Sequence, residues 1–288
     1  MRHALGLGER RRRQSAMPDP VLVLEGLSKI FYKRGSRTPF LAVDDVSLAV
    51  PAGGCVALVG ESGSGKTTLA RLALRLETPD AGKVVFQGRD LTALSGSQLL
   101  KARLSMQPIF QDPGASFNPR RTVGVALEQA LRHVVESATA REARGAQLLE
   151  RVGLRPGLSY LPRYPHELSG GQKQRLAIAR ALAMNPVLIV ADEPLSGADV
   201  SIRGQILNLL EDLRTERHVA YLLITHDISV ARAFASQIAV MYHGQIVERG
   251  DSAMVLEHPS NDYTKRLLQS VPTLSGPLPS PAFGRPNS

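Results

Sequence analysis

One cysteine, Cys55, is the whole thiol content of this 288-residue chain. No intrachain disulfide can form, and a thiol-ligated zinc or iron–sulfur site is excluded on the same ground. Such usage fits a reducing compartment. Long apolar runs are missing as well. The longest, residues 187–191 and 219–224, have the length of strands and fall far short of the roughly 18–20 residues that cross a bilayer. Any action at a membrane then requires docking onto something already there. Hydrophobic residues make up 43% and charged residues 21%, which suits a globular protein with one sizeable core or two small ones.

The net charge is +9. Part of the excess lies before Met17, where Arg2, Arg10, Arg11, Arg12 and Arg13 face only Glu9. A basic chain can point to nucleic acid or to an anionic membrane surface. Here the charge reads as a solvated tail on an arginine-rich background, and no nucleic-acid partner is expected. No apolar segment follows the arginines, so they do not resemble a secretory signal. Residues 1–20 are aperiodic and are expected to be a disordered basic tail. Disorder is also expected from Pro272 onward, where Pro, Ser and Gly dominate. There is no internal repeat.

Between these ends, strand and helix signals alternate. Residues 21–24 and 43–50 read as strands, with a polar, turn-rich loop over 33–39 between them. A short apolar strand at 56–59 runs into a glycine cluster, then a helix over 66–76. Residues 83–87 suggest another strand before the turn residues 88–90. Over 98–160 helical periodicity takes over, most clearly at 123–135 and 141–152. A helix over 171–184 stops at Asn185-Pro186, because proline disfavours helical geometry in the residue before it. A strand at 187–191, a helix at 201–217, a strand at 219–224 and a helix near 228–236 follow. Residues 238–242 and 245–248 read as a hairpin around His243-Gly244. This alternation implies an α/β fold: a parallel sheet with helices on both faces, interrupted by a helical insertion.

Two motifs carry chemistry. Gly60-Glu61-Ser62-Gly63-Ser64-Gly65-Lys66-Thr67 matches G-x-x-x-x-G-K-[ST] in full. The glycines let backbone N–H groups converge on an anion without side-chain clash. The helix that opens at Lys66 adds the positive end of its dipole. In such a loop the lysine reaches the β- and γ-phosphates and the Thr67 hydroxyl ligates Mg²⁺, with Thr68 next in line on the helix. A mere glycine-rich turn does not explain why Lys and Thr both fall at the required offset. The second motif is Leu188-Ile189-Val190-Ala191-Asp192-Glu193, an apolar strand ending in two acids. Carboxylates at strand carboxyl ends sit where α/β sheets bind ligands. Asp192 is a candidate Mg²⁺ ligand and Glu193 a candidate general base for an attacking water.

Leu168-Ser169-Gly170-Gly171-Gln172 narrows the field. Ser169 is placed as an N-cap, and Gly170 and Gly171 leave amides bare at a helix N-terminus, a second anion site. With this pentapeptide 20 positions before Asp192, residues 21–270 resemble the ATP-binding subunits of ABC (ATP-binding cassette) transporters. The resemblance implies a P-loop NTPase (RecA-like) core with a mainly parallel sheet, an N-terminal antiparallel β subdomain and an α-helical subdomain inserted at about residues 112–170. It places the ATPase domain at 21–254 and a C-terminal extension at 255–288. In the family the pentapeptide faces the γ-phosphate held by a second cassette, so Ser169, Gly170, Gly171 and Gln172 are implied to serve a partner's ATP. Gln111 resembles the glutamine that senses Mg²⁺ and nucleotide, and His226 in Thr225-His226-Asp227 the histidine that contacts the γ-phosphate. Phe31 occupies the position of the aromatic that stacks on adenine, with Tyr32 beside it as competitor. Ser196-Gly197-Ala198-Asp199 keeps the aspartate of the family's S-A-L-D loop, while Gly197-Ala198 departs from it.

The stretch Ile109-Phe110-Gln111-Asp112-Pro113 through Ser116-Phe117-Asn118-Pro119-Arg120 resembles the branch that imports dipeptides and oligopeptides. So does the segment His258-Pro259-Ser260-Asn261-Asp262-Tyr263-Thr264-Lys265. Nickel importers share much of this pattern. The resemblance implies ATP and Mg²⁺ as cofactors and two transmembrane permease subunits as partners. It further implies a second ATPase subunit, more readily a heterodimer than a homodimer. An extracytoplasmic solute-binding protein would act indirectly, and the chain would sit peripherally on the cytoplasmic face of the inner membrane. A DNA-directed relative would need a long coiled-coil insertion, a translation factor two cassettes, and a pure regulator the loss of Glu193 or His226.

Overall fold

A computed structural model describes residues 19–32, 38–196 and 200–270. The expected disordered tails, the centre of the 33–39 loop and Gly197, Ala198 and Asp199 fall outside, apart from Asp19 and Pro20. In chain order the elements begin with β1 (Pro20–Tyr32), β2 (Pro39–Pro51), β3 (Cys55–Val59), α1 (Lys66–Ala73), β4 (Ala81–Phe86) and β5 (Arg89–Asp90). There follow α2 (Gly96–Leu104), β6 (Met106–Ile109), α3 (Val123–Leu131), α4 (Ala138–Arg151), α5 (Gly157–Tyr160) and α6 (Gly170–Ala183). The third block holds β7 (Leu188–Asp192), α7 (Val200–Arg217), β8 (Ala220–Thr225), α8 (Ile228–Phe234), β9 (Gln237–Tyr242) and β10 (Gln245–Asp251). Two helices, α9 (Ser252–Glu257) and α10 (Asp262–Gln269), close the described chain. Among the described residues no helix is long and apolar enough to cross a membrane.

Two sheets form. β2-β1-β4-β5 is antiparallel, and β10-β9-β3-β8-β7-β6 is parallel except for β10. Every residue of β3, β7 and β8 is buried, which is why these strands read as unbroken apolar runs rather than alternating ones. Successive side chains still serve opposite faces. Ala57, Val59, Ile189, Ala191 and Leu223 join a core with α6, α8 and the helices α3 and α4. Leu58, Leu188, Val190, Leu222 and Ile224 join a second core with α1 and the antiparallel sheet. The sheet is thus the shared wall between two packed layers.

Several boundaries differ from the sequence expectation, each for a physical reason. β1 continues past 24 because Gly26, at φ 57, forms a bulge whose N–H donates to Ser47 Oγ at 2.9 Å, and pairing resumes at Leu27. Helix α1 ends at Ala73 rather than 76, since Arg75 turns left-handed (φ 54) and Leu76 N–H donates to Arg71 O at 2.8 Å. Helix α4 starts earlier than 141 because Ser137 caps it through Ala140 N–H. The largest miss is β6. It has four residues, contains Pro108 and lies inside a stretch read as helical. It pairs only with β7, at the sheet edge, where proline is tolerated.

Candidate functional site

The sheet order decides what meets. β3, β8, β7 and β6 run parallel and side by side, so their carboxyl ends share one edge. Gly60 follows β3, His226 follows β8, Asp192 ends β7 with Glu193 after it, and Gln111 lies two residues past β6. Four segments scattered over some 170 positions of sequence therefore open onto one rim, the place where open α/β sheets bind ligands.

The loop from Gly60 to Thr67 is held tight. A Cβ built at Gly60 would lie 2.2 Å from Met241 O, and one at Gly65 2.2 Å from Ala42 O. Gly65, at φ 107, is also the cap from which α1 springs. Gly244 N–H donates to Ser64 O at 2.9 Å, and Asp44 N–H to Gly244 O at 2.9 Å. β2 and the β9–β10 turn thus grip the loop from outside. Glu61, Ser62, Gly63 and Thr67 face solvent, with Thr68 half-buried behind them. Lys66 is 7% exposed, and its Nζ donates to Gly60 O (2.9 Å), Glu61 O (2.6 Å) and Ser64 Oγ (3.3 Å). Burial lowers the Lys66 pKa, while the charges of Glu193, Asp192 and Glu61 work to hold it up.

Asp192 is buried, and its Oδ1 has no hydrogen-bond partner. Desolvation raises its pKa, against a hydrogen bond from the Thr67 hydroxyl. The neighbouring charge of Glu193 raises it further, and Lys66 lowers it. Glu193 is held at φ 50, an unusual conformation for a non-glycine residue, by its N–H donating to Ile224 O at 2.9 Å. Its Oε1 accepts the His226 N–H at 3.0 Å and lies 2.6 Å from His226 Nδ1. The Glu193 side chain is 11% exposed and that of His226 67%, so a shielded carboxylate faces an accessible ring.

The helix cap at Ser169 forms as the local sequence demands. Ser169 Oγ accepts Gln172 N–H at 3.3 Å, and Gln172 Oε1 accepts Ser169 N–H at 3.0 Å, a reciprocal capping box at the start of α6. A Cβ at Gly170 would meet nothing within 4 Å. No hydrogen bond among the described residues joins residues 169–172 to the phosphate loop of the same chain. Phe31 is 37% exposed near the end of β1, with Lys29 Nζ 5.5 Å from its ring centre.

Two polar residues of α6 escaped the sequence reading. Gln174 is 3% exposed, and its Nε2 donates to Pro194 O at 2.6 Å, tying the helix to the residue after Glu193. Arg180 donates to Ser116 O at 2.6 Å and stacks over Phe117 at 4.6 Å, tying the same helix to the segment after Gln111. The available signal was Gln174 itself, a polar residue in register with the buried Ile178, Ala181 and Leu182 on one helical face.

Known proteins agree with this geometry. The family model "ABC transporter" matches residues 43–196. The glutathione import ATP-binding protein GsiA of Salmonella paratyphi A is 47% identical over 261 residues, which is 88% of this chain and 41% of that protein. The Escherichia coli K12 protein of the same name is 50% identical over 232 residues, 80% of this chain and 37% of that one. The chain therefore spans about two fifths of the length of these relatives. Among solved structures, a dimeric post-hydrolysis state of the ATP-binding cassette MJ0796 bound to ADP and Pi superposes with a TM-score of 0.74 at 30% identity. That alignment covers 80% of this chain and 98% of the cassette. CbiO1 of Clostridium perfringens, part of the ABC transporter complex CbiONQ, gives 0.71 at 25% identity over 83% of this chain and 92% of its own. The expected P-loop ATPase fold is thereby borne out. With a family model matched over more than half its length and relatives near half identity, the chain belongs to the ABC transporter family.

Proposed function

We propose that this chain is the ATP-hydrolysing subunit of an ABC importer whose cargo is a small peptide. The observation that carries the hydrolytic part is the shared rim, where the phosphate loop, the Asp192-Glu193 pair and His226 converge at the ends of three adjacent strands. In this reading the amides of residues 63–67 and the Lys66 ammonium bind the β- and γ-phosphates, and Phe31 stacks on adenine. The residues present fit Mg²⁺. The unpartnered, buried Asp192 Oδ1 and the Thr67 hydroxyl offer hard oxygen donors, with Gln111 as a further one. When bound, the ion neutralises charge on the phosphate oxygens. Glu193 accepts a proton from the attacking water, and His226 both holds that carboxylate and reaches toward the γ-phosphate. Ser169, Gly170, Gly171 and Gln172, together with Asp199, act across an interface on the nucleotide of a second cassette.

The partners in this reading are two transmembrane permeases, a different ATPase subunit and, indirectly, an extracytoplasmic solute-binding protein. The chain sits on the cytoplasmic face of the inner membrane. Support for peptide cargo comes from relatives named for import of glutathione, itself a small peptide. The test is a deletion strain given a di- or oligopeptide as sole source of a required amino acid. Growth should fail, return with the wild-type chain, and not return with Lys66→Ala. Intact peptide uptake beside lost uptake of another solute would remove the peptide reading and leave the ATPase standing.

A further inference from the structure

Helix α10 lies outside the stretch matched by the family model, yet it touches the phosphate loop. The Tyr263 hydroxyl accepts a hydrogen bond from the Glu61 N–H at 3.1 Å, across 202 positions of sequence. Its ring lies on that of Tyr242, with centroids 4.0 Å apart and planes at 30°. Tyr242 ends β9, and the turn that follows supplies the Gly244 N–H held by Ser64 O. Both arms of the loop, at Glu61 and at Ser64, are therefore pinned by one C-terminal assembly.

That assembly is itself anchored. Glu248 on β10 accepts the Ser260 N–H (2.7 Å), the Ser260 hydroxyl (2.8 Å) and the Asn261 N–H (3.2 Å). Asn261 then caps α10 by accepting the Tyr263 N–H at 2.8 Å. Tyr263 is 6% exposed, so its ring is packed into the C-terminal assembly. Burial also raises its pKa. Packing against Tyr242 needs only the ring. The hydroxyl adds the hydrogen bond that reaches the loop.

We propose that Tyr263 is a positioning residue for nucleotide binding: its hydroxyl fixes the Glu61 amide, which holds the first arm of the phosphate loop in its binding shape. This rests on the reading that residues 60–67 bind the phosphates of ATP. The C-terminal segment then tunes nucleotide affinity without touching the nucleotide.

Tyr263→Phe keeps the ring and its stack and removes one hydroxyl. Calorimetric titration of the full chain with ADP, and steady-state hydrolysis of ATP, should show Kd and KM raised about 3- to 10-fold, the range of one neutral hydrogen bond, with kcat unchanged. Val255→Ala in α9 removes buried volume from the same C-terminal segment without reaching the loop. It should lower Tm at least as much as Tyr263→Phe while leaving Kd at the wild-type value. Wild-type affinity in Tyr263→Phe overturns the proposal and leaves the ATPase reading intact. Equal weakening in both variants also overturns it, because affinity would then follow general loosening. A wild-type chain that binds no ADP overturns both.

Discussion

Two alanine substitutions in the same loop, at Gly63 and at Gly65, separate close packing from backbone strain. Gly63 and Gly65 both have positive φ, 82 and 107. Alanine at either position meets the left-handed penalty, roughly 1–2 kcal/mol. At Gly63 the new methyl finds nothing within 4 Å. At Gly65 it would lie 2.2 Å from Ala42 O and 2.8 Å from Met241 Cε. The Met241 methyl can rotate away, but the carbonyl cannot. Ala42 is buried, and its neighbours are held by the Val43–Lys29 pairing and by the Asp44 N–H bond to Gly244 O. Overpacking of this kind adds about 1–3 kcal/mol. For a domain of this size each kcal/mol moves Tm by roughly 2–4 °C. Gly65→Ala should therefore melt roughly 2–12 °C below Gly63→Ala, a gap that follows from the overpacking alone. Thermal unfolding by circular dichroism, without nucleotide, measures it. An ADP titration should show weakened binding in Gly63→Ala and none measurable in Gly65→Ala. Equal melting temperatures, or a worse Gly63→Ala, would refute the claim that backbone approach at Ala42 shapes this loop.

Glu193→Gln keeps an oxygen acceptor for the His226 N–H but loses the charge, so ADP affinity should stay while phosphate release falls about 10²–10⁴-fold. A residual rate within about tenfold of wild type would remove Glu193 as the base. Asp192 has its pKa raised by burial, so in metal-free protein its ionisation costs stability as pH rises through that pKa. Asp192→Asn should then melt higher than wild type in chelator at neutral pH, a gap that closes as pH falls and Asp192 takes up its proton. Lower melting of the variant throughout would count against this.

Elements that bury both faces were the most legible. β3, β7 and β8 each carry an unbroken apolar run, and their own composition suffices to mark them. β6 has no such run. Met106 and Ile109 are buried, Gln107 and Pro108 only partly so, and the strand exists because β7 offers it a partner. A four-residue edge strand takes its identity from its neighbour, which no local window contains. The end of α1 failed for the same reason in miniature. The stop at Ala73 depends on Arg75, whose left-handed turn is held by Nε donating to Leu91 O, sixteen positions away.

The candidate site divides along the same line. Gly60 to Thr67 is legible because one loop and one helix start supply all its amides. The Asp192-Glu193 pair and His226 are legible as strand ends, but the 2.6 Å approach of Glu193 to His226 Nδ1 is a product of β7 lying beside β8. Gln174 and Tyr263 complete the series. Each is a polar atom buried by elements distant in sequence: Gln174 meets Pro194 twenty positions on, and Tyr263 meets Glu61 from the far end of the chain. Those partners offset the burial of Gln174 Nε2 and of the Tyr263 hydroxyl, while Gln174 Oε1 stays buried without a hydrogen bond. A buried polar side chain on an otherwise apolar face is thus a signal that a long-range partner exists, and the folded chain alone names it.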